Sequence, residues 1–422
     1  MTDTRLAPRV HDVAAGPARL LLLPTDVRDV VSFRGSLSAA PDFGADDDLV
    51  LSLLANLLDK GSRRRGRFEI AEDLEGRGAT VSFYSDGLRL GFSGRALRDD
   101  LADVLAIAAE QLREPALDAD EVEKAVVRAV ADARRAREST GAQASGALAR
   151  RLYGPAHPNY VLDPDVEIER LQTITPEVIR AYHADHVGSD GLTIAAVGDV
   201  PVEATEAAAR AAFGGWAAHG RAAVYDAEAS PEPPGRTVVE MADRRNLDVR
   251  LGHPVALRRD SPDFLAAYAG VFALGGNFSG RLMQTVRDEQ GLTYGIGASL
   301  GAPAVEHDGH VYVSVTLSQE NLDRGIEATR AEVEGFVADG VPDDVLRQTQ
   351  TTLAGQHVVA LATTGGVAAR LLVNAQRGFD VGYLDQYPDL VHALTADEVT
   401  GAVRRYLRPD QLHEAVAGST PD

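Results

Sequence analysis

The side chains best placed for chemistry lie between Leu274 and Leu300, in the run LGGNFSGRLMQTVRDEQGLTYGIGASL. Arg287 and Tyr294 stand seven residues apart there, with Gly291 between them. The pattern predicts a short helix over Ser279–Asp288, a turn at Gly291 and a strand over Leu292–Ala298. That order would aim both side chains into one cleft. A guanidinium offers a rigid fork of donors and a phenol one neutral donor. Two such donors suit a peptide carbonyl whose oxygen gains charge during attack. Taken alone, the same residues also read as a solvated arginine at a helix end and a tyrosine packing at a strand start.

Other chemistries are poorly supplied. The chain has no cysteine, which excludes disulfides, thiolate metal sites and cysteine nucleophiles. Its eleven histidines are scattered, with His183/His186 and His307/His310 as the close pairs. The first pair falls at an expected helix end, where a cation favours the helix dipole. The second flanks Asp308 and Gly309 in an expected hairpin. Neither reads as a metal ligand set. No Ser-His-Asp arrangement, paired-carboxylate site, GxGxxG or Walker motif stands out. A net charge of −21 argues against nucleic acid as a partner, because phosphate neutralisation needs a basic surface. No apolar run reaches the roughly 18 residues that span a bilayer, so no membrane partner is expected either. The first residues resemble neither a secretory nor a lipidation signal, and the expected location is cytoplasmic.

A chain of 422 residues exceeds what one compact core usually organises, so two domains are expected. The clearest linker is Ala222–Gly235, AAVYDAEASPEPPG, with three prolines and no apolar period. It separates a domain at 1–221 from a domain at 236–422. In the first half, Val30–Phe33 is an expected strand and Asp46–Leu58 a helix. Thr80–Ser85 and Leu88–Ser93 pair across Asp86-Gly87, a strong hairpin signal. A long helix follows from about Asp118 to Arg137, then a helix ending near His183 and a strand at Leu192–Val197. The second half repeats the series: strands Thr237–Met241 and Leu247–Leu251, helix Asp263–Ala273, strands Leu292–Ala298 and His310–Leu317, then a long helix opened by Pro342. Gly78-Ala-Thr-Val81 overlays Gly291-Leu-Thr-Tyr294, and Pro115…Val122 falls near Pro342…Val345, which suggests an internal duplication. Hairpins mixed with helical excursions give an α+β class, each domain a mixed, mostly antiparallel sheet covered by helices.

The Gly-Gly turn, the Ser-x-Arg-Leu helix start and the Arg-x-x-x-x-Gly-Leu-x-Tyr run resemble the pattern of the pitrilysin (insulinase) family of zinc peptidases. The two-repeat layout resembles it too. The resemblance implies one half of a clam-shell and makes Arg287 and Tyr294 the substrate-contacting pair, with Gly275, Gly276 and Asn277 as weaker candidates for substrate-facing backbone. Members that cut peptides carry His-x-x-Glu-His on an early helix and a glutamate on a later one; the motif glutamate is the general base. Counting back from Lys60-Gly61-Ser62, which resembles the family's Lys-Gly-Thr, Ser52, Ala55 and Asn56 occupy the motif positions, and Val130 falls near the later ligand. Serine and asparagine bind zinc poorly, alanine is no base and valine is apolar. The resemblance therefore implies a subunit without a cofactor of its own. A paralogous partner would hold the zinc, and the two would act on a peptide substrate. The alternative is a structural, assembly or peptide-binding protein of the same fold. The purified chain is expected to hold far less than one zinc per molecule and to cut no peptide alone; metal analysis and a peptidase assay check both.

Overall fold

The computed structural model describes residues 5–39, 47–219, 228–301 and 303–421. Asp46 and residues 222–227 of the expected linker lie outside them. Two sheets carry the architecture. The first is built from β1 (His11–Ala15), β2 (Ala18–Pro24), β3 (Val30–Ser38), β4 (Thr80–Ser85), β5 (Arg89–Leu97) and β6 (Thr193–Gly198). The second contains β7 (Arg236–Glu240), β8 (Asn246–Val255), β9 (Thr293–Gly301), β10 (Gly309–Ser318) and β11 (His413–Gly418). Their strand orders are β1-β2-β6-β3-β5-β4 and β7-β11-β8-β10-β9.

The duplication shows in this topology. With β1 set aside, the orders superpose strand for strand, and the parallel pair sits in the same place, β2 with β6 and β7 with β11. The edge strands β4 and β9 correspond, so the overlay of Thr80 on Thr293 reflects their positions in the fold. Gly78 (φ 60°) and Gly291 (φ 65°) turn the chain into these edges through the left-handed region that favours glycine. The hairpin across Asp86-Gly87 forms, with Gly87 alone of the two at positive φ. Asp86 instead accepts hydrogen bonds from the Leu88 and Arg89 N–H groups.

The chain forms two compact units, and each draws on both halves of the sequence. One comprises Met1–Ala131, Glu169–Tyr225 and His357–Tyr387; the other comprises Asp132–Ile168, Asp226–Gln356 and Pro388–Asp422. The expected division at 222–235 thus separates the sheets but not their helices. Helix Thr140–Leu152, from the first half, buries Ala147, Leu148 and Leu152 in a cluster that includes Ala415 of β11. Helix Thr364–Gln376, from the second half, packs Val367, Ala368, Leu371 and Leu372 on Leu21, Leu23, Ala195 and Val197 of β2 and β6. Even the pins correspond. Thr140 Oγ1 donates to Asp248 Oδ2 of β8 at 2.7 Å, and Thr364 Oγ1 lies 2.8 Å from Ser32 Oγ of β3.

Three features depart from the expected elements. β2 and β11 were not anticipated, since the four leucines of β2 and the whole of β11 are buried and show no alternation. The segment expected as a short α-helix is a π-helix over Met283–Glu289. The histidines expected at a dipole are instead structural donors. His183 is buried, its Nε2–H donates to the Leu112 carbonyl, and burial lowers its pKa.

Buried imidazoles also knit the second unit. His157 Nε2 lies 2.8 Å from Asp308 Oδ1, and the other Asp308 oxygen accepts the Ala229 N–H. The Tyr153 hydroxyl lies 2.9 Å from His310 Nδ1, and His310 is pushed down to about 4, chiefly by burial. Burial lowers His253, His307 and His413 as well. A ring with a depressed folded pKa contributes stability that is fully present above its unfolded value, about 6.5, and lost as pH falls toward the folded one. Thermal melts should therefore show Tm falling between pH 6.5 and pH 4, with a shallower fall in His310→Gln after allowance for its lower starting stability.

Candidate functional site

Glycine contacts set the ground for the candidate site. Helix Phe264–Gly275 is strongly apolar and ends against β9, where a methyl group added to Gly275 would lie 2.6 Å from the Ala298 nitrogen. One added to Gly280 would lie 2.9 Å from the Gly275 Cα, and one added to Gly297 would lie 3.2 Å from the Gly275 oxygen. Gly275, Gly280 and Gly297 thus let the helix end, the following loop and the strand meet backbone to backbone. From this anchor the π-helix buries Met283 and Val286 and leaves Arg287 half-buried at its last turn. The chain then reverses, the Gly291 N–H reaching Arg287 O at 3.0 Å and the Leu292 N–H reaching Val286 O at 3.1 Å. Such wide turns recur at functional positions.

The turn brings Arg287 and Tyr294 together. The Arg287 guanidinium carbon sits 5.5 Å from the Tyr294 ring centre and 4.8 Å from that of Phe278. Both rings lie within cation–π range. Nη1 also contacts Asp288 Oδ1 at 3.2 Å. Tyr294 is 89% exposed on the edge strand, and its hydroxyl has no hydrogen-bond partner among the described residues. The pair thus offers a phenol donor free for a ligand beside a guanidinium held by two rings.

The weaker candidates fall differently. Gly275 is buried, and the Gly276 N–H already donates to Phe272 O at 2.8 Å. Asn277 Oδ1 accepts from the Ser279 hydroxyl. These residues shape the loop, and their tight contacts account for the glycines without a ligand. Phe278, 68% exposed, escaped sequence reasoning. Its only signal was a large aromatic between a glycine pair and a serine, where a small polar turn residue would be ordinary.

The metal-ligand positions lie in the other unit and do not fit zinc. Helix Asp47–Ala55 exposes Ser52 and buries Ala55, while Val130 is buried in a separate helix. Asn56 Nδ2 is turned back onto the Ser52 carbonyl at 2.9 Å. The Lys60-Gly61-Ser62 corner that follows is structural. Gly61 has φ 123°, and the Ser62 hydroxyl donates to Glu110 while accepting the Arg64 and Arg65 N–H groups. Among the described residues, no three His, Asp or Glu side chains converge as a metal cluster.

Comparison with known proteins draws these features together. Residues 173–353 match the model of the peptidase M16 inactive domain. An uncharacterized zinc protease of Streptomyces coelicolor is 24% identical over 390 residues, covering 86% of this chain and 83% of its own. The crystal structure of a peptidase M16 inactive domain from Pseudomonas fluorescens shares the fold at a TM-score of 0.87, with 23% identity and 98% of each chain covered. Residues 173–353 thus match that family's inactive domain, and the chain shares the M16 fold. The matched model describes an inactive domain, and the positions counted as metal ligands hold Ser52, Ala55, Asn56 and Val130. The periplasmic protease PqqL of Escherichia coli has the same fold at a TM-score of 0.82 and 14% identity; the match covers 100% of this chain and 46% of PqqL. Among the described residues, no single helix is long and apolar enough to cross a membrane.

The glycine contacts make one direct prediction. Gly275→Ala should destabilise the protein by about 1–3 kcal/mol, the usual cost of forcing a methyl group into a full site. Urea unfolding measures it, and Gly295→Ala, with open space around its Cα, should cost less.

Proposed function

We propose that this chain is the non-catalytic subunit of a two-subunit zinc peptidase of the M16 family, whose partner carries the zinc ligands and general base. The observation that carries this reading is the ring-held Arg287 beside the free Tyr294 hydroxyl, in a chain whose ligand positions are Ser52, Ala55, Asn56 and Val130. A scaffold has no need of such a pair. The match to less than half of the PqqL chain supports the same view, since a single chain there leaves room for a second unit of this size.

On this reading the partner's zinc would activate water and polarise the scissile carbonyl. Arg287 and Tyr294 would position the peptide backbone and donate to the carbonyl oxygen as charge develops on it. Arg287 would first exchange its contact with Asp288 for the substrate. Because Tyr294 already lies at the sheet edge with its hydroxyl unpaired, it would need no rearrangement to donate.

Purifying the tagged chain from its native source tests the assembly. The expected result is one co-purifying paralogue with an intact His-x-x-Glu-His and peptidase activity in the complex alone. A partner without that motif, or a paralogue fully active by itself, would defeat the reading. Within the complex, Tyr294→Phe should lower kcat by about a hundredfold, or ~3 kcal/mol, the scale of losing one oxyanion donor. Arg287→Ala should cost at least as much, with zinc content and assembly unchanged. A rise in KM at constant kcat would instead mark the pair as a backbone clamp.

A further inference from the structure

We infer that Phe278 is a specificity-determining platform. It would select peptides with an aromatic or large aliphatic side chain next to the carbonyl engaged by Arg287 and Tyr294. This deepens the proposed function and rests on its reading of those two residues.

The ring is presented outward by the backbone that carries it. Its loop is fastened at both ends, by Gly275 against β9 and by Gly280 against Gly275. Within the loop, the Gly280 N–H donates to Asn277 O at 3.1 Å. The Ser279 hydroxyl donates to Asn277 Oδ1 and accepts from Gln348 Nε2, each at 3.1 Å. A loop tied down this way has little freedom to fold the ring inward. Phe278 is 68% exposed, and the Arg287 guanidinium lies over one face of its ring.

Arg287 sits between the Phe278 and Tyr294 rings, so a carbonyl that reaches its N–H groups passes along the edge of the aromatic pair. The side chain next to that carbonyl then meets the free surface of Phe278. Apolar contact there removes exposed ring area from water on both partners. Exposed Asp288 and Glu289 stand beside the same turn and disfavour an acidic side chain at that place. The selected class is therefore aromatic or aliphatic.

The test uses the full chain and three fluorescent octapeptides, blocked at both ends and differing at one central position: Phe, Leu or Ser. Protein is titrated into the millimolar range and binding followed by anisotropy. Wild type should prefer the Phe and Leu peptides over the Ser peptide by about tenfold, the scale of burying one apolar side chain. Phe278→Ala should bring the three within about twofold of one another while still binding the Ser peptide, and Phe278→Tyr should restore the preference. Preference retained in Phe278→Ala overturns the inference, and so does an equal loss for all three peptides. Arg287→Ala should weaken all three alike. If it leaves binding intact while Phe278→Ala still abolishes the preference, the reading of Arg287 falls and the platform stands. Absence of all peptide binding by wild type overturns both.

Discussion

Each sheet has an apolar face that must be kept from water, and a helix from the other half of the chain helps to cover it. Leu21, Leu23, Ala195 and Val197 lie under helix Thr364–Gln376, and Ala415 under helix Thr140–Leu152. The rest of the structure follows from this requirement. A β-sheet with one uncovered hydrophobic face does not persist as a monomer in water, so neither half is a complete folding unit. The hydroxyl pins at Thr140 and Thr364 then fix where each helix starts on its sheet.

The same economy of contacts builds the candidate site. Three glycines, at 275, 280 and 297, let a helix end, a loop and an edge strand approach at backbone distance. That approach removes the slack that would otherwise let Phe278, Arg287 and Tyr294 drift apart. The duplicated edge strand β4 starts with the same Gly-x-Thr entry, yet it carries Val81 where β9 carries Tyr294. Shared folding signals thus persist in both repeats, while the donor-bearing residue is present in one.

Much of this was legible in the sequence where a residue's meaning is local. The hairpin at Asp86-Gly87, the long helices after Pro115 and Pro342 and the turn at Gly291 are set by backbone preferences of the residues named. The pairing of Arg287 with Tyr294 was legible because one glycine turn separates them. What was not legible depends on partners far along the chain. An amphipathic helix such as Thr140–Leu152 announces an apolar face but not which sheet it will cover. β2 and β11 lack alternation because both faces are buried. The π-helix followed from no propensity, and Phe278 looked like an ordinary turn neighbour until Arg287 was found above its ring.

The exchange of helices also changes what the linker means. Because each unit holds stretches from both sides of residues 222–235, a protease nick there would not release two independent pieces. The fragments would stay interlocked, each completing the hydrophobic layer of the other. A single ancestral repeat faces the same problem and would meet it by lending its helix to a twin, as in a domain-swapped homodimer. The present chain has the form of such a dimer made permanent by fusion. Once the two copies were covalently joined, one could lose a chemical group without loss of the shared fold, and the repeats were free to diverge in what their edge strands present.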